Sequence, residues 1–196
     1  LWLAAGATPA AAQGRPRLEV ALRSRPDGPS DAVVTLTGLL ADGRFLSAMR
    51  SGFPLYLGYQ VELRESRSMW DRTVAREARE FVVLYQPGRE VYQLEDAEGT
   101  EEIRQLSDLE RKLDAAYVFT GLGPDGPGRY HYRATVAART LSDEDVDEVF
   151  AWLKGEPEAA PRRPGLVTRA ARKLLIQVAP LPRLTVDGRT EEFVVR

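Results

Sequence analysis

From Phe53 the chain alternates: Phe53, Leu55, Leu57, Tyr59, Val61 and Leu63 are apolar, while Tyr56, Gln60, Glu62 and Arg64 occupy intervening positions. A period of two marks a strand with one face on a core and one toward water. Pro54 stands at its start, where a missing backbone donor is tolerated. The polar run 64–68 predicts a turn. Residues 69–77 then lead into another run, with Trp70 and Val74 on one face and Asp71, Thr73 and Ala75 on the other.

The same period recurs along the chain. Residues 18–24 (Leu18, Val20, Leu22) and 32–41 predict a first hairpin across the turn residues 25–31. Residues 80–96 predict a second, joined at Pro87-Gly88, with Val91, Gln93 and Glu95 opposite Tyr92 and Leu94. The loop 121–128 reads as a hairpin turn into a strand carrying Tyr130, Tyr132, Ala134, Val136 and Ala138 inward. At the end of the chain, Asp187-Gly188 predicts a terminal hairpin.

Helical spacing appears between these strands. Residues 43–52 place Phe45, Leu46 and Met49 on one face and stop at Gly52. In the stretch from Ser107, that residue and Glu110 have capping-box spacing, and Leu109, Leu113 and Ala116 form a short apolar face. Residues 142–154 are capped by Ser142, acidic through Asp145, and apolar at Val146, Val149, Phe150 and Leu153. Proline-rich residues 155–165 form a linker. Beyond it, Val167, Ala170, Ala171, Leu174, Leu175 and Val178 make the stripe of a basic amphipathic helix over 166–178, with Arg169, Arg172 and Lys173 elsewhere on the wheel. The resulting fold class is mainly β (α+β): an antiparallel sheet or sandwich-like domain over 17–154, with two or three accessory helices. A leader remnant or flexible tail (1–14), the linker, and a segment 166–196 of basic helix plus terminal hairpin complete the division.

Composition narrows the chemistry. Among 196 residues, 27 Lys and Arg nearly balance 29 Asp and Glu, so the net charge of −2 argues against a general nucleic-acid binder. The absence of cysteine excludes disulfides, thiolate metal sites, cysteine nucleophiles and a lipoprotein anchor. The opening residues lack an initiator methionine and resemble the tail of an apolar signal region before Ala10-Ala11-Ala12. The expectation is a missing upstream piece, cleavage to leave Gln13 first, and a soluble exported protein.

Candidate sites are few. His131 is the sole histidine, expected on the wet face of its strand, and no neighbouring motif supplies it with a nucleophile. One histidine and no cysteine leave no usual zinc set. Loop 121–128 lacks the lysine and hydroxyl of a phosphate-binding loop. The acids of 142–148 fit a helix amino terminus better than a calcium loop, and the acidic run 95–102 reads as a solvated loop. Glu62, Glu65 and Asp71 contain the residue types of a glycosidase carboxylate pair, whose separation spacing alone does not set. No catalytic, cofactor-binding or metal-ligating residue is therefore assigned, and no cofactor is expected.

The order Gly-Phe-Pro-Leu (52–55), alternating strand, Val-Glu-Leu-Arg (61–64), polar turn and Trp-Asp (70–71), followed by Phe-Val-Val-Leu-Tyr (81–85) and the Val91–Leu94 strand, resembles a bacterial envelope family, domain of unknown function 4390. The resemblance covers residues 17–154, and residues 141–153 are similar to the family's carboxyl-terminal portion. It implies an exported protein, often encoded beside a nitrogen-regulation-type sensor kinase, and transfers no active residue. The expected function is a non-enzymatic periplasmic or otherwise exported envelope domain acting through protein contacts. The alternatives are a carbohydrate hydrolase with paired carboxylates and an accessory subunit of a membrane complex. For the basic helix, docking on protein is favoured by its alanines, with membrane-surface contact as the other use; nucleic acid and an integral span are not expected.

Overall fold

In a computed structural model of the chain, residues 15–26, 28–140 and 181–196 are described. The leader remnant or flexible tail expected over 1–14, and the helix, linker and basic helix expected over 142–178, all lie outside them. The described residues form strands β1 (Arg17–Arg25), β2 (Gly28–Thr37), β3 (Leu55–Glu65), β4 (Arg72–Gln86), β5 (Val91–Asp96), β6 (Gly99–Ile103), β7 (Ala116–Phe119), β8 (Gly128–Arg139), β9 (Arg183–Arg189) and β10 (Phe193–Val195). Helix α1 (Arg44–Arg50) precedes β3 and α2 (Leu106–Leu113) precedes β7. The protein is mainly β, with every pairing antiparallel.

A three-stranded sheet, ordered β1-β2-β7, faces a seven-stranded one, ordered β10-β8-β3-β4-β5-β6 with β9 also on β8. The sandwich core lies between them. Ala32, Val34 and Leu36 of β2 and Phe119 of β7 meet Leu57, Tyr59, Val61, Leu63, Phe81 and the inward side chains of β8. Full burial of one such aliphatic side chain is worth about 1.5–3 kcal/mol, so the alternation of β3 alone is a large share of what holds it in place. Tyr132 crosses the gap, donating its hydroxyl to Ser30 O at 2.7 Å and Leu122 O at 3.1 Å. An aromatic group also bridges the layers: Tyr117 of β7 lies 4.9 Å from Phe81 and 5.3 Å from Tyr59, and the Arg79 guanidinium covers Tyr117 and Phe119.

Several local expectations hold. Alternation along β3 and β8 is as read, α1 stops as expected, and Gly52 adopts a φ of 90° while its N–H bonds Met49 O. Others change. Residues 69–77 and 80–86 do not form two runs; β4 is one strand that starts only at Arg72. The acidic loop 95–102 contains a further strand, β6, whose wet face accommodates its carboxylates. Helix α2 starts at Leu106 with Gln105 as its cap, so Ser107 falls two residues too late to close a capping box. Ala116 belongs to β7, and the segment 121–128 joins β7 in one sheet to β8 in the other instead of turning a hairpin. Asp187-Gly188 is likewise no turn: both residues pair within β9, opposite Thr135 and Ala134.

Candidate functional site

The connection between β3 and β4, residues 66–71, projects from the end of the large sheet. Its approach is built by a register shift after Leu63, which brings Arg64 opposite Thr73 and Glu65 opposite Arg72. Ser66 continues the ladder by donating its N–H to Arg129 O at 2.8 Å. Glu65 receives both Arg67 (2.7 Å) and Arg72 (2.9 Å), and Arg72 also reaches Asp125 at 2.7 Å in the loop that crosses between the sheets. Those guanidinium hydrogen bonds, Arg67's first, hold the Glu65 carboxyl below the usual range, and Arg72 does the same to Asp125.

Beneath the tip sits His131. It occupies the outer face of β8, as its place in the alternation requires, yet it is only 5 % exposed. The expectation of a surface histidine is therefore corrected. Strand alternation locates the face correctly, but Ser66, Asp71 and Glu192 arrive from other segments to cover the ring. Ser66 Oγ lies 3.1 Å from Nδ1, and Asp71 Oδ2 lies 3.6 Å from Nε2. Glu192, just before β10, accepts a hydrogen bond from Ser66 and pairs with Arg129; both hold its carboxyl low. Burial pushes the His131 pKa down against an opposing pull from Asp71. Arg64, opposite His131 in the sheet, approaches Asp71 O with Nη2, while its Nε is buried without a hydrogen-bond partner among the described residues.

Serine, histidine and aspartate thus come together, and their proton arrangement decides what they can do. A nucleophilic triad needs a bare ring nitrogen toward the serine and an N–H toward the carboxylate. Here Asp71 Oδ2 lies 3.6 Å from Nε2, beyond hydrogen-bonding distance, so no carboxylate hydrogen bond orients the ring toward Ser66 as a triad requires. The three carboxylates of the glycosidase reading are also engaged: Glu62 with Arg76 and Gln60, Glu65 with its two arginines, and Asp71 beside His131. A general acid at neutral pH needs its pKa raised, whereas that of Glu65 moves down. Asp114 does move up, through burial, but it accepts the Gly38 N–H and secures the turn after β2.

Above this cluster, Met69 and Trp70 are 80 % and 74 % exposed. The sequence reading set Trp70 on a strand face beside Val74; the strand's later start leaves it in the connection instead. The signal for the tip was the polar run 64–68, while the solvent position of two large apolar side chains within it had no local signal. Among the described residues no three or more His, Asp or Glu side chains are grouped to hold a metal, and no helix is long and apolar enough to cross a membrane.

No curated protein and no solved structure matches the chain. The model of a domain of unknown function, DUF4390, does match, over residues 42–121. That span is narrower than the resemblance over 17–154; it contains Ser66, Trp70 and Asp71 and excludes His131 and Glu192. The matched span contains α1, the whole β3–β4 hairpin, β5, β6, α2 and β7, so over residues 42–121 the chain is similar to the DUF4390 family.

Proposed function

We propose that the protein is an exported, non-enzymatic envelope domain that acts through protein contacts, in a setting linked to a sensor kinase, and that the 66–71 tip is its contact. The observation that carries this reading is the exposure of Met69 and Trp70 on a tip fixed by Glu65, Arg67, Arg72 and Asp125. Large apolar side chains held in water on an ordered mount lose little conformational freedom on binding, and tryptophan is enriched among residues that dominate interface energies. Export rests on the leader-like amino terminus.

A photo-crosslinking residue at position 70, introduced in cells making the full chain, tests the contact. A discrete protein adduct that disappears on Met69→Asp supports it. Absence of an adduct, or turnover of envelope carbohydrate that is lost in Glu62→Gln or Glu65→Gln, overturns it. Mass spectrometry of the mature chain tests export separately: Gln13 as first residue supports processing, and retention of residues 1–12 in the native envelope overturns it.

A further inference from the structure

The outer face of the large sheet carries a second surface, independent of the tip. Gly58 on β3 pairs with Ala137 on β8, and Ala78 on β4 stands one same-face position along, opposite Gln60; these small residues form the floor of a hollow of about 210 Å³. Nothing lies within 4 Å of where a Cβ on Gly58 would stand. Tyr56 and Val82 bound this hollow and also line the next one, of about 190 Å³, which runs on to Leu84 and Glu95. The result is a trough across the sheet with a floor of small residues and a rim that includes Gln60, Thr135 and Arg139. Glu80 and Glu95 stand exposed along its β4–β5 side with no ion-pair partner among the described residues.

We infer that this trough is the seat of the chain's own segment 166–178. Where that segment rejoins the fold is the first reason. Only residues 179–182 separate Val178 from Arg183, which begins β9 beside Arg139, and Arg139 itself pairs with Tyr56. Those five steps span at most about 17 Å. The three strand spacings from β9 to β4 amount to about 14 Å, so the end of the segment is tethered within reach of Val82. As a helix, thirteen residues extend about 20 Å, the width of the trough from β9 to β5.

Charge and shape supply the second reason. Arg169, Arg172 and Lys173 complement Glu80 and Glu95, whereas the other apolar-striped segment outside the described residues, 142–154, carries Asp143, Glu144, Asp145, Asp147 and Glu148 and would set like charges together. Ala170 and Ala171 permit close approach to the Gly58 floor. The stripe lacks the tryptophan or phenylalanine that commonly anchors a helix in a lipid surface.

The absence of cysteine makes the test direct. In the full chain, the pair Ala78→Cys and Ala171→Cys should form an intramolecular cross-link under mild oxidation, while Arg23→Cys on the small sheet with Ala171→Cys should not. A cross-link found between two chains assigns the trough to a second copy and overturns the inference, as does no cross-link. Hydrogen exchange supplies the second arm. Leu174→Glu and, from the other side, Gly58→Trp should each speed exchange in 166–178 about tenfold while amides of β3 keep their protection. Unchanged exchange in the segment for either variant overturns the docking. So does protection that appears only when phosphatidylglycerol vesicles are added, which places the segment on lipid.

Discussion

Tyr59 and Trp70 belong to the same hairpin and are treated in opposite ways. Tyr59 in the body is 1 % exposed, with its ring against Phe81 and Tyr117, yet its hydroxyl is buried with no hydrogen-bond partner among the described residues. Burial, with Tyr117 and Asp114 nearby, pushes the pKa of that hydroxyl far upward, so it stays neutral. Trp70 at the tip is largely in water, while the charged groups mounting it find partners. The body accepts an unsatisfied polar atom for the sake of ring packing, and the tip leaves an apolar surface uncovered for the sake of position. Stability is concentrated in the first region, and the second is the contact we propose.

The strongest way to break this contrast is at Tyr59. Tyr59→Ala should lower unfolding free energy by about 3–5 kcal/mol in urea titration, as for other large aromatic truncations. Tyr59→Phe should be neutral or slightly stabilising, because it deletes a hydroxyl with no hydrogen-bond partner among the described residues. A large loss in Tyr59→Phe would show that the hydroxyl has a partner and remove the contrast. Next is Gly188, where β1 crosses the inner face of β9. A Cβ there would lie 2.8 Å from Val20 Cγ2 and 3.3 Å from Leu18 Cδ2. Gly188→Ala should therefore cost about 1–3 kcal/mol by overpacking, read by the same titration.

A smaller effect belongs to His131, on which the tip rests. Its folded pKa lies below the ordinary 6.5 because burial disfavours the cation. The unfolded chain then binds the proton more readily, so this group's contribution is fully present above about 6.5 and is lost as pH falls from there through the folded value. Urea midpoints should decline over that window, and His131→Gln should flatten the decline; equal slopes in both proteins would refute the assignment. Glu65, Asp125 and Glu192, all held low, add their own loss in more acid solution, below the ordinary carboxylate range. Smallest of all on stability is Trp70→Ala, expected within about 0.5 kcal/mol of wild type, while the same change should remove partner capture. A stability loss as large as that of Tyr59→Ala would make Trp70 a packing residue and sink the division between body and tip.

Features carried by nearest neighbours in the chain were legible without a structure. The alternation through β3 and β8, the stop of α1 at Gly52 and the Pro87-Gly88 turn depend on φ, ψ and side-chain period, which are local properties. The same patterns placed His131 on the right face of β8. Its burial required Ser66, Asp71 and Glu192, up to 65 positions away in the chain, and no period reports such an encounter. Glycine shows the division most clearly. At 121–128, glycines and prolines correctly announced a change of direction, but which sheet received the returning strand was settled by the pairing of β8 with β3. At Asp187-Gly188, a local reading finds a turn, because glycine tolerates a positive φ. Tertiary structure uses the same residue for its missing side chain: β1 lies so close at Val20 and Leu18 that a straight strand can pass beneath it only where there is no Cβ.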